Sequence, residues 1–367
     1  MSGAGHSLAI RALAERLQAR MVAAGAVPVA ADILQPAELL LDLYGEDIRA
    51  RAYVTHDPLR GEMMLRPDFT VPVVQAHMTG GADPARYTYL GEVFRKQDGA
   101  TLAGRPSEFL QLGYEVFDRT NPAAADAEVF ALFAALLAGT NAKPVMGDIG
   151  ILMAAVQGLD TTPRRKAALL RHIWRPMRFK QLLDRFSGRA PIPAARAALL
   201  ATLATGTPGA LIAATGPMIG LRSPEDIAER AAALIEDAGT KPIAAPEAAL
   251  LYDLLGLQAP AEAALAHLHG ITFMLPAIAP AVANFAARLA ALKSRGIDTA
   301  RLPFEASLGR TSMEYYDGFT FSFVVEGWPP VASGGRYDAL TSVLGQGRSI
   351  PAVGGVIRPE VVVGVRA

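Results

Sequence analysis

The sequence predicts an α+β fold: an antiparallel sheet flanked by helices, with a helical domain inserted into it. Three observations carry this expectation. The runs Arg86-Tyr-Thr-Tyr-Leu-Gly-Glu-Val-Phe-Arg95 and Gly104-Arg-Pro-Ser-Glu-Phe-Leu-Gln-Leu-Gly-Tyr-Glu-Val-Phe117 read as two alternating strands joined by a polar, glycine-bearing loop. Between about residues 160 and 290 the composition shifts to alanine-rich helical stretches punctuated by Pro, Gly and Thr. After about residue 298 the strand pattern returns, over 313–325 and in the apolar end Val361-Val-Val-Gly-Val365. The core is therefore expected in two pieces, 1–160 and 295–367, around an insertion at 161–294.

Each element has its own local signal. Leu8, Ile10, Leu13, Leu17 and Met21 fall close to helical spacing with arginines between them, which predicts an amphipathic helix over 8–23 that packs on the sheet. Short alternating runs between 50 and 118 are the antiparallel strands of the core. Asn121-Pro-Ala-Ala-Ala-Asp126 opens an alanine- and leucine-rich helix that continues through Leu137. In the insertion, Thr162 before Pro163 and Ser223 before Pro224 place an N-cap ahead of a proline at the first helical position, and Glu225 and Asp226 suit the positive end of the helix dipole. The basic run Arg164-Arg165-Lys166 then reads as a solvated helix start rather than a nucleic-acid site.

Composition excludes several function classes. With 367 residues, 51% hydrophobic and 19% charged, the chain has enough apolar material for two or more buried cores. Thirty-five basic residues balance thirty-five acidic ones, so no global field attracts nucleic acid. There are no cysteines, hence no disulfide and no thiolate metal site. The one close histidine pair, His267 and His269, is not spaced for one helical face, so no metal is expected. The N-terminus lacks a secretory pattern, and no apolar run approaches the roughly 18 residues a bilayer span needs. A soluble, cytoplasmic protein that carries no cofactor and binds neither membrane nor nucleic acid is the expectation.

The strand pair is where ligand chemistry concentrates. Side chains alternate faces along a strand, so Gln111, Gly113 and Glu115 point the same way: an amide, a gap and a carboxylate, with the Arg95 guanidinium at the loop entrance for an anion. Each has a plainer reading. Glu115 and Gln111 can be buried groups satisfied by backbone, and Arg95 an ion pair with Glu92 or Glu108.

The strand-loop-strand resembles motif 2 of the class II aminoacyl-tRNA synthetases, specifically the histidyl-tRNA synthetases. Further segments follow in the matching order. Leu65-Arg-Pro-Asp-Phe-Thr70 resembles the segment that holds the α-amino group, and Glu314-Tyr-Tyr-Asp-Gly-Phe-Thr-Phe321 resembles the histidine-specific tyrosine strand. Gly334-Gly-Arg-Tyr-Asp338 and Pro351-Ala-Val-Gly-Gly355 are similar to the fold's C-terminal half, and Leu34-Gln-Pro36 to its dimer-forming motif 1. The resemblance implies a class II synthetase-like sheet and a histidine site made by Asp68, Thr70, Arg95, Gln111, Glu115 and Tyr316. Of the two tyrosines on an alternating strand only Tyr316 is expected to face the pocket, leaving Tyr315 to core or interface, while Gly334 and Gly335 are expected to form a turn that delivers Arg336.

The departures from the synthetase pattern concern the nucleotide. Val361 stands where the motif 3 arginine grips ATP, Gln97 replaces a loop carboxylate, Ser107 a second loop arginine, and Thr311 the catalytic arginine. Arg310 is one residue away, on the opposite face of a strand. Adenylyl transfer rests on placed positive charge, and each lost contact forfeits about 3 kcal/mol of transition-state stabilisation. The chain also stops a few residues after motif 3, where the synthetases carry an anticodon-binding domain. The resemblance implies that histidine is bound but not activated, and in this the sequence is similar to the ATP phosphoribosyltransferase regulatory subunits, truncated paralogues of histidyl-tRNA synthetase. That resemblance implies a non-catalytic homodimer that senses histidine and is required by a short-form catalytic subunit in the first step of histidine biosynthesis. The rivals are a minimal histidyl-tRNA synthetase, or another adenylating enzyme that uses Arg358, and a synthetase-derived nucleic-acid module.

Overall fold

The computed structural model describes residues 3–44, 48–96, 106–214, 222–309 and 315–366. Among these, twelve strands appear in chain order: β1 Val27–Pro28, β2 Leu34–Pro36, β3 Val54–Asp57, β4 Gly61–Leu65, β5 Ala85–Phe94, β6 Glu108–Phe117, β7 Lys143–Asp148, β8 Gln258–Pro260, β9 Pro303–Glu305, β10 Phe319–Val324, β11 Ala332–Arg336 and β12 Ala352–Ile357. Nine form one sheet in the order β1-β5-β6-β12-β11-β10-β7-β9-β8, and β2-β4-β3 form a second. The central ladder from β5 to β7 is antiparallel throughout; the short pairings β1 with β5 and β7 with β9 are parallel.

Alternation divides the large sheet into two faces. Leu112, Tyr114 and Val116 of β6 face the Gly3–Ala23 and Pro122–Leu136 helices and are buried in the main core. Gln111, Gly113 and Glu115 face the other way, toward the Thr70–Gly80 helix. The first helix buries Ile10, Leu13, Leu17 and Met21 as its periodicity predicts, whereas Leu8 stays 71% exposed at its start. The capping signals are also met. Asn121, Thr162 and Ser223 accept from the backbone N–H groups of Ala124, Arg165 and Asp226, and Ser223 with Asp226 completes a capping box.

Three elements differ from the sequence reading. The strand expected over 313–325 is only Phe319–Val324; residues 315–318 precede it as non-strand backbone, and 313–314 lie outside the described residues. Gly334 and Gly335 lie inside β11 with no positive φ, and the need for glycine there is close packing: a β-carbon at either would strike the ring of Phe321 or Tyr316. The valine run near the end forms a helix, Pro359–Gly364, not a strand. Proline at its first position fixes a helical start, and packing against the first helix overrides the strand preference of valine.

Among the described residues, six helices lie between Pro163 and Gly256 and form the helical part of the 161–294 segment. From Gln258 onward the segment joins the sheet: β8 pairs with β9, and the Ala279–Ser294 helix packs on the Pro122–Leu136 helix. Arg165, read from sequence as part of a solvated helix start, is instead buried, with its Nε 2.6 Å from Asp237 Oδ1 and its terminal nitrogens on the carbonyls of Asp237 and Lys241.

Candidate functional site

A narrow cavity of about 30 Å³ for the centre of a water molecule lies where β6, β11 and β12 meet the start of the Thr70–Gly80 helix. Thr70, Arg95, Gln111, Glu115 and Tyr316 all line it, so five of the six residues expected from the sequence converge. Asp68 is buried and does not line the cavity; it faces the field of Arg95, and burial raises its pKa against that field. Tyr315 lines the cavity beside Tyr316, with its hydroxyl 3.3 Å from Thr70 Oγ1. The expectation that one of the pair turns away fails because residues 315–316 precede β10 and do not alternate as a strand does.

Glu115 is the centre of the arrangement. Thr70 Oγ1 donates to its Oε1 at 3.1 Å, Tyr89 Oη to the same oxygen at 2.9 Å, and Tyr337 Oη to Oε2 at 2.6 Å. Burial nonetheless pushes its pKa up to about 7, because removal from water outweighs three hydroxyl donors and the nearby Asp68 charge adds to the rise. Two glycines make this packing possible. A β-carbon at Gly113, paired across the hairpin with Tyr89, would enter the Tyr89 ring, so the gap expected to receive a ligand is filled by that tyrosine. A β-carbon at Gly354, paired with Glu115, would collide with the carboxylate itself.

The remaining polar groups are less satisfied. Gln111 is buried, and its Oε1 has no hydrogen-bond partner among the described residues. Arg95 gives its Nε to the Pro67 carbonyl at 2.7 Å, and its terminal nitrogens have no hydrogen-bond partner among the described residues. Arg358 also lines the cavity, with Nη1 2.7 Å from the Pro330 carbonyl and Nη2 3.3 Å from Ser333 Oγ. The site thus offers an unfilled acceptor, a carboxylate near neutrality and guanidinium groups for an anion. Such groups can pair chemically with a small zwitterion that has a further N–H group.

Comparison with known proteins gives this geometry a family. The Histidyl-tRNA synthetase family model matches residues 5–256 and 225–362. Among curated relatives, an ATP phosphoribosyltransferase regulatory subunit of Allorhizobium ampelinum is 33% identical over 348 residues, 90% of this chain and 91% of its own. One of Sinorhizobium medicae is 35% identical over 341 residues, 88% of each chain. The chain belongs to the family of ATP phosphoribosyltransferase regulatory subunits. Among solved structures, an ATP phosphoribosyltransferase regulatory subunit/histidyl-tRNA synthetase from Bacillus halodurans superposes with a TM-score of 0.67 at 21% identity, covering 98% of this chain and 79% of that one. Histidyl-tRNA synthetase from Nostoc gives 0.62 at 15% identity, covering 97% and 70%. These likenesses establish the class II synthetase-like fold.

For a regulatory subunit of this family, the synthetase-like positions fall into two groups. Val361, in the place of the nucleotide-gripping arginine, packs as an apolar side chain against the main core. Gln97, Arg310 and Thr311 lie outside the described residues. Arg336, which the sequence left between turn and ligand, is on the far face of the sheet: Nη2 is 2.6 Å from Asp126 and Nη1 2.9 Å from Asp338. Its neighbour Tyr337 is the residue that sequence reasoning missed, because Gly-Gly-Arg-Tyr-Asp reads as a turn when β11 is not known to run through it. Tyr89 had a legible signal: an aromatic beside a cross-strand glycine is a recurrent pairing.

Proposed function

We propose that the chain is a non-catalytic regulatory subunit that binds histidine in the Glu115 cavity and is required by a short-form ATP phosphoribosyltransferase in the first step of histidine biosynthesis. The observation that carries the reading is the unpartnered Gln111 acceptor beside the caged Glu115 carboxylate and the open end of Arg95. Gln111 and Thr70 take the ammonium, Glu115 and Tyr316 the imidazole, and Arg95 the carboxylate. Asp68 supports the ammonium end through its charge. The names of the curated relatives, ATP phosphoribosyltransferase regulatory subunits, support an ATP phosphoribosyltransferase as the partner. The catalytic partner transfers the ribosyl phosphate of phosphoribosyl pyrophosphate to ATP, with pyrophosphate as the leaving group, and a homodimer of this chain sits within the hetero-oligomer.

The centre of a water molecule has only about 30 Å³ to move in within this cavity, so histidine is expected to displace part of its lining. β6, β11 and β12 are locked by their ladders, so the Tyr315–Tyr316 side is the one that yields. That supplies two arrangements for histidine to bias, and its differential affinity for them is what the partner reads.

Titration calorimetry with histidine tests the map. Glu115→Ala is expected to lose about 2 kcal/mol, roughly thirtyfold in affinity, and Tyr316→Phe about 1 kcal/mol. Full affinity in Glu115→Ala refutes this site. Mixing the chain with a short-form catalytic subunit is expected to give a complex and raise its turnover; if neither a complex nor a change in rate appears, the subunit reading is wrong. A second reading, an adenylating enzyme, is favoured by Arg358, which adds a guanidinium to the cavity. Histidine-dependent ATP–pyrophosphate exchange on the order of one turnover per second or faster would select it.

A further inference from the structure

The helical part carries a charge imbalance that the chain as a whole does not. Residues 161–222 hold eleven Lys and Arg against one acid, Asp184, in a sequence whose totals cancel. Part of this is neutralised internally. The Pro224–Gly239 helix brings Glu229 and Glu236 to Arg164, and Asp237 to Arg165 and Arg196. The rest is not. Arg171, Arg178, Lys180 and Arg189 are exposed and have no carboxylate within 4.0 Å among the described residues.

Three arginines gather at one corner of the helical part. Arg171, Arg175 and Arg178 all act on His172 at the junction of the Pro163–Arg171 and Pro176–Phe186 helices, and Arg178 also acts on Arg185. Met177 is 71% exposed among them, and Trp174 is half-buried beside them. At the base of the patch, His172 Nδ1 and Arg185 Nε are buried with no hydrogen-bond partner among the described residues. Clustered like charge costs free energy in the isolated chain, and a ligand of opposite sign relieves it.

We propose that this arginine-rich corner of the helical part is the docking face for an acidic surface of a protein partner. Under the function proposed above, on which this inference rests, that partner is the catalytic subunit. Arginine forks serve carboxylate and phosphate alike, so the choice of protein over nucleic acid comes from the neighbours. Arg, Met and Trp together are the composition of protein interface cores, and a chain of zero net charge gathers no polyanion from a distance.

The test is sedimentation of the full chain with a short-form ATP phosphoribosyltransferase catalytic subunit across a salt series from about 50 mM, where surface charge is least screened. The variants are Arg171→Glu with Arg178→Glu, the milder pair Arg171→Gln with Arg178→Gln, and Arg301→Glu as an exposed control elsewhere. Wild type is expected to bind more weakly as salt rises. Double reversal is expected to weaken binding by at least about tenfold, the glutamine pair by less, and the control not at all, with histidine binding unchanged in every variant. If wild type binds and both pairs bind equally well, this face is wrong while the subunit reading stands. If wild type forms no complex, the subunit reading and this inference fall together. If the double reversal abolishes a tRNA gel shift and leaves the protein complex intact, nucleic acid is the occupant and the proposal is overturned.

Discussion

Glu115 shows how one side chain can be well bonded and still expensive to ionise. Its hydroxyl donors each favour the carboxylate, but full burial holds its pKa at about 7, well above the ordinary glutamate range. The sign of the resulting pH dependence follows. Below about pH 4.3 the group is protonated whether the chain is folded or not, and between there and about 7 the unfolded chain gives up its proton while the folded one keeps it. Folding stability is therefore lost as pH rises through that window, by up to about 3 kcal/mol. Urea unfolding of wild type and Glu115→Gln at pH 5 and pH 8 is expected to show wild type losing stability relative to the variant at the higher pH; parallel profiles would show that Glu115 ionises freely. A second residue sets the space. Gly354→Ala places a methyl on the carboxylate and is expected to destabilise the fold by about 2 kcal/mol and abolish histidine binding, as read by thermal unfolding and calorimetry.

At the scale of elements, the antiparallel sheet, its helical flanks and the strand pair β5–β6 were legible because period and turn chemistry agree there. The face shared by Gln111, Gly113 and Glu115 was legible for the same reason: alternation needs no tertiary knowledge. What was hidden depends on register between distant strands. Tyr337 reaches Glu115 and Gly354 makes room for it only because β12 lies between β6 and β11, a fact that no local window contains. The join of β8 and the Ala279–Ser294 helix to the sheet was hidden too, since their alanine-rich pattern matches that of the helices before them. Parity misled once, at Tyr315 and Tyr316, where the backbone ahead of β10 is not extended strand and both rings turn inward. An element-level prediction follows from the buried pair that ties two helices of the helical part. Arg165→Ala leaves Asp237 with Arg196 alone, and is expected to cost about 3 kcal/mol in chemical denaturation while leaving histidine affinity intact.

At the scale of the molecule, the two faces of the sheet are coupled through consecutive residues. Tyr337 donates to Glu115 on the cavity side, and Arg336 holds Asp126 on the other. Asp126 also takes Arg288 at 2.7 Å, and Arg288 takes Asp148 at 2.8 Å, so one buried network joins the Pro122–Leu136 helix, the end of β7, the Ala279–Ser294 helix and the end of β11. These groups are drawn from segments 162 and 210 residues apart, and the network closes the chain around the helical part. Removing one member of a buried charged set costs about 3–5 kcal/mol, mostly because its partners are left unpaired, whereas removing both members of a pair costs less than the sum. Arg288→Met alone is therefore expected to destabilise the chain by about 3 kcal/mol, and adding Asp148→Asn is expected to return at least about 1 kcal/mol of that loss. A double-mutant cycle by urea unfolding measures the coupling. Strict additivity would mean that apolar packing of the Ala279–Ser294 helix, through Val282, Phe285, Leu289 and Leu292, holds it on the sheet without help from charge.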